Sequence, residues 1–120
     1  MKKLQNNFTT HEQSRRLLQL GVPADSADCI YVRLSKNAEF NRKFREDIVG
    51  ENPYEHLDFY YPCWSVGRLL EISELCYTSL YEHDYFIRQK DCNTDFLIKM
   101  FELGADRMDF LKLEVYGTRN

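Results

Sequence analysis

Cys63 lies beside the chain's only tryptophan in the stretch YYPCWSVGRLLEI, residues 60–72. A thiol close to a helix N-terminus feels the positive end of the helix dipole, which lowers its pKa and raises its thiolate fraction. An enzyme built on it would need a base, and the histidines are His11, His56 and His83. Two features oppose that chemistry. Cys63 precedes the capping Ser65 instead of sitting in the first turn, and its apolar neighbours raise a thiol pKa. The alternative is that Pro62, Cys63 and Trp64 pack as a wedge that fixes the helix entry, in keeping with how commonly free cysteine is buried. Packing is the expected role.

Tyr-Glu-His occurs twice, at Tyr54-Glu55-His56 and Tyr81-Glu82-His83, each followed by an aspartate, Asp58 or Asp84. Two histidines and a carboxylate would suffice for a facial metal triad. On strands, each tyrosine and histidine share one face and each glutamate points the other way, so a triad needs two neighbouring strands in register. Cys29, Cys63, Cys76 and Cys92 contain no C-x-x-C pair, which disfavours a four-cysteine zinc site. Neither a metal nor a cofactor is expected. The sequence also lacks a glycine-rich phosphate loop, a G-x-S-x-G elbow and an H-E-x-x-H pair, so the expected protein is not an enzyme. The runner-up is a cysteine- or metal-dependent enzyme using Cys63 or His56 and His83.

Basic residues interleave with Phe40 and Phe44 in NRKFRE, residues 41–46, which suggests a nucleic-acid face. However, Glu39–Lys43, Arg42–Glu46 and Lys43–Asp47 are all i,i+4 pairs on one expected helix, the ordinary way to solvate a surface. A formal net charge of −3 adds to the case against broad phosphate binding. Nucleic-acid binding is therefore the weakest function. Tyrosines crowd the middle of the chain, and tyrosine suits protein interfaces by joining an apolar ring to a polar tip. Tyr60, Tyr61, Tyr81 and Tyr85 are the candidate partner-binding residues. The expected partner is another protein or a second copy of the chain.

These residues need elements to position them. At 120 residues and 43% hydrophobic content, the chain is long enough to bury a core without metal or disulfide staples, and one domain spanning 1–120 is expected. Thr9–Glu12 or Thr10–Gln13 forms a capping box for a helix that stops at Gly21 and Pro23. CIYVRLS, residues 29–35, reads as a strand. Phe40, Phe44 and Ile48 recur every four residues and predict a helix from Asn37 to Gly50. HLDFYYP predicts a short aromatic strand ended by Pro62. Ser65 caps a helix carrying Val66, Leu69, Leu70, Ile72 and Cys76 on one stripe. SLYEHDYFIR, residues 79–88, predicts a strand, Asn93 or Thr94 caps a last helix closed by Gly104, and FLKLEVY alternates like a strand. The expected fold is α+β, with a mixed or antiparallel sheet of about three to four strands packed against about four helices.

Two stretches resemble a known group. FTTHEQSRRLLQLGVPADSADCIY, residues 8–31, and PCWSVGRLLEI, residues 62–72, are similar to a family of small uncharacterised proteins from Bacteroides-type gut bacteria, often encoded in prophages or other mobile elements. The pattern T-x-E-Q-S-x-R-L-L-x-L-G-x-P-A-D-S-A-D carries most of the likeness. The resemblance implies an accessory protein of a bacterium or its phage and transfers no catalytic residue. The opening MKKLQNNFTT has no apolar segment behind its lysines, and no run is long enough to span a bilayer. A cytosolic interaction protein with an aromatic, acidic-leaning surface, acting by occlusion or scaffolding, is the expected function.

Overall fold

The computed structural model describes residues 7–47, 53–77 and 93–113. Helix α1 spans His11–Leu20, and Thr10 is its cap. The Thr10 hydroxyl accepts from the Gln13 amide at 3.1 Å, and the Gln13 side chain accepts from the Thr10 amide at 3.0 Å. Gly21 ends the helix at φ 99°, a conformation that costs an L side chain energy. The amides of Gly21 and Val22 donate to Leu18 and Leu17, forming the expected stop.

Strand β1, Cys29–Val32, is central in a three-stranded sheet of order β2-β1-β3, where β2 is Asn41–Phe44 and β3 is Tyr60–Cys63. Both pairings are antiparallel. Helix α2, Val66–Cys76, starts at Ser65, whose hydroxyl accepts from the Arg68 amide. Helix α3, Thr94–Leu103, is capped by Asn93 and followed by Gly104. The α+β class is as expected, and the described residues hold three α-helices.

Two element assignments in the sheet region need correction. The segment from Asn37 is not a helix: residues 41–44 form β2, and Arg45–Asp47 make a 3-10 turn. A spacing of four puts Phe40 and Phe44 on one side of a helix, but it does so equally on a strand, where every second residue shares a face. Pairing with β1 settled the ambiguity. The i,i+4 ion pairs expected along that helix lose their geometric basis. Pro62 does not end β3 either. In the β1–β3 ladder Arg33 donates to Phe59 at 3.1 Å, so the inward groups of β3 belong to residues 59, 61 and 63. The missing N–H of Pro62 therefore faces the outer edge, where no ladder bond is lost.

Residues 48–50, the strand expected over 79–88, and the end of FLKLEVY lie outside the described residues. Its beginning, Phe110–Lys112, is a 3-10 turn and not the strand that its alternation suggested.

The main core lies among the three helices. Leu17 of α1, Leu69 and Ile72 of α2, and Leu97, Ile98 and Phe101 of α3 close around Trp64. The two stretches singled out in the sequence meet at this tryptophan. Its indole N–H donates to the Ser26 hydroxyl at 3.1 Å, and its backbone exchanges bonds with Thr9. One residue on, the Ser65 amide and hydroxyl both donate to the Asp28 carboxylate. The PADSAD turn thus braces the entry to α2.

Candidate interaction surface

Cys63 is a structural plug. Its side chain has no exposed surface, and its thiol donates to the Thr9 carbonyl at 3.5 Å. Burial pushes the thiol up to about 11, and the hydrogen bonds to Tyr31 and Thr9 only partly offset that effect. Neither partner is a histidine. A protonated, water-excluded thiol lacks both the thiolate and the access that a nucleophile requires. Cys29, directly opposite in register, is also buried and pushed up to about 12 by burial and by Asp28.

His56 lies in a turn with Glu55 and Asp58, along an open groove of about 290 Å³ lined by Tyr54–Phe59. Among the described residues no three metal-ligating side chains converge. His83, Tyr81 and Tyr85 fall outside them, so the His56–His83 pairing has no geometry to weigh.

Tyr60 and Tyr61 are neighbours in a strand and therefore point to opposite faces. Tyr60 is half-buried, whereas Tyr61 is only 8% exposed. Tyr61 is covered by His11, whose imidazole stacks on it with ring centroids 3.8 Å apart and 22° between planes. As a partner-binding residue, Tyr61 offers almost no surface of its own. It supports a ring that does.

Register explains what surrounds this stack. Tyr31 stands between Tyr61 of β3 and Arg42 of β2, so all three share one sheet face. Phe40, in phase with Arg42, lies 5.0 Å from the His11 ring and edge-on to Tyr31 at 6.3 Å. Two guanidiniums complete the surface. Arg33 sits 4.5 Å from the centre of Phe40 and also donates to the carbonyls of Asp58 and Lys36. Arg42 sits 3.7 Å from the centre of Phe8. Such cation–π contacts contribute about 0.5–1 kcal/mol each at exposed sites. His11 is exposed, and its pKa is held below the ordinary value by partial burial and by the Arg33 charge.

The result is a strip of imidazole, phenyl and phenol rings flanked by guanidiniums, outside the main helical core. It can stack on flat groups and pair with carboxylates. The charges set against its rings are the guanidiniums of Arg33 and Arg42, where the sequence suggested an acidic-leaning aromatic surface. His11 and Phe40 were not among the partner-binding candidates in the sequence, where His11 entered only as a possible base and Phe40 only in a possible nucleic-acid face. The adjacency of a helix N-terminus and a sheet face leaves no local pattern, although His11 beside the Thr10 cap did fix where its ring would begin.

No protein family, curated protein or solved structure matches the chain. No helix among the described residues is long and apolar enough to cross a membrane.

Proposed function

We propose that this chain is a small accessory protein of the bacterial cytosol that acts by binding a protein partner, through occlusion or scaffolding and without bond-making chemistry. The observation that carries this reading is the strip of His11, Phe40 and Tyr31, with His11 stacked on Tyr61 and with Arg33 and Arg42 at its margins. Rigid aromatic rings and arginine are the side chains that dominate protein interfaces, since they bury large areas while losing little conformational freedom. Here the rings are pre-stacked, so that ordering cost is already met in the free protein. The protonated, buried state of Cys63 also weighs against thiol chemistry.

The test is affinity capture from a cytosolic extract with the wild-type chain and with a His11→Ala, Phe40→Ala variant. A partner retained by the first and lost with the second, while the circular dichroism spectrum is unchanged, is the expected result. Equal retention by both would remove this surface as the binding site. Absence of any retained protein would count against the function itself.

A further inference from the structure

The sheet has two outer edges, and they are not equivalent. That of β3 is blunted: Pro62 presents no donor there, and the bridge from Phe8 to Ser65 occupies its end. That of β2 is neither covered nor interrupted among the described residues. Arg45 donates to Asp28 at 2.9 Å, on the same register line that pairs Lys43 with Ile30 and Asn41 with Val32. Antiparallel ladders alternate, so the backbone N–H and C=O groups of Arg42 and Phe44 face outward. All four residues of β2 are exposed, and Phe44 retains 59% of its surface.

We propose, building on the partner-binding reading, that the outer edge of β2 is a strand-addition site for an extended acidic segment of the partner protein. Arg42 and Lys43 are consecutive, so the edge presents one cation on each face of the sheet, and an added strand meets both. A second copy of this chain is the wrong occupant, because antiparallel self-pairing centred on the middle of the strand sets Arg42 opposite Arg42 or Lys43 opposite Lys43, and like charges directly opposite are destabilising. Glu39 and Glu46 flank the strand. The matching segment is therefore short, with its acids in the middle and uncharged residues at its ends. Main-chain bonds to Arg42 and Phe44 would supply affinity, and the two cations would supply the preference for acid. The edge also joins the aromatic strip at Arg42, so one partner can engage both.

The probe is a blocked peptide of valines and threonines with a central Glu-Glu pair, titrated into the full ¹⁵N-labelled chain and followed by amide shifts. The expected result is saturable movement of the Arg42 and Phe44 amides, with a Lys-Lys version of the peptide giving none. Arg42→Pro removes an outward N–H that β1 does not use, and should weaken binding about tenfold or more. Lys43→Glu keeps the backbone donors and reverses the charge, so it should weaken binding even if the proline variant folds poorly. Shifts confined to His11, Phe40 and Tyr61 would overturn the edge proposal and leave the partner-binding reading standing. No shift at millimolar peptide would also overturn it, whereas the capture experiment judges the broader function independently. Undiminished binding by both variants would reduce the interaction to diffuse surface charge.

Discussion

Residue chemistry at the sheet is governed by which groups water can reach. Cys63, Cys29 and Cys76 are all buried free thiols, and burial is the main cause of their raised pKa values, about 11, about 12 and about 11. Between the two values, a thiol raised in the folded state keeps its proton while the unfolded thiol, with an ordinary value of about 8.5, has lost it. Its stabilising contribution is therefore full below the unfolded pKa and is lost as pH rises through the folded one. The urea midpoint should fall from about pH 9 upward, and Cys63→Ala should flatten part of that fall, as equilibrium unfolding at several pH values would show. Alkylation followed by peptide mass spectrometry should find Cys63 modified only when the chain unfolds. Rapid modification in the native protein near neutral pH would sink the structural role. His11 has the opposite sign, because its folded pKa is depressed by burial and Arg33. NMR titration should place it below the unperturbed value, and Arg33→Ala should move it back toward that value.

Elements in this protein begin and end at identifiable side chains. Thr10 closes a reciprocal capping box, so Thr10→Ala should cost about 1 kcal/mol in urea unfolding. Gly21 occupies the left-handed region, which only glycine enters without penalty, and Gly21→Ala should destabilise by roughly 1–2 kcal/mol. Gly104 is required for a different reason. Its φ of −107° suits any residue, but an added Cβ would overlap the hydroxyl end of Tyr77, a ring only 3% exposed. The buried ring would have to shift, so Gly104→Ala should cost about 1–3 kcal/mol. A Tyr77→Phe background should recover part of that loss, which a purely conformational effect at Gly104 would not permit.

The molecule as a whole is held at the junction between the sheet and the helices. Thr9 and Ser26, which lie before and after α1, both bond to Trp64, and Arg68 returns from α2 to the Ser26 carbonyl at 2.7 Å. Ser26→Ala would leave the indole N–H buried without its acceptor, at a cost of about 1–3 kcal/mol. Trp64→Ala would open the center of the core and remove about 3–5 kcal/mol. Trp64 is the single tryptophan, so its fluorescence reports this junction directly. Fluorescence and far-ultraviolet circular dichroism should give one urea transition, and separate transitions would mean that helices and sheet unfold independently.

What was legible in the sequence is local. Thr10, Gly21, Ser65, Asn93 and Gly104 carry their meaning in short-range chemistry, since a cap satisfies amides within one turn. All five mark helix ends in the structure. The α+β class and the burial of Cys63 followed from the same kind of reasoning. The aromatic strip was not legible, because it depends on register. Only the pairing of Tyr31 with Tyr61 and Arg42 decides that these side chains share a face. The four-residue spacing of Phe40 and Phe44 fits a helix and a strand alike, and only hydrogen bonding to β1 made it a strand, at the edge of the sheet among the described residues. Periodicity tells which residues share a side of one element. Which side meets another element, and what is left facing water, is decided by contacts between residues far apart in the chain.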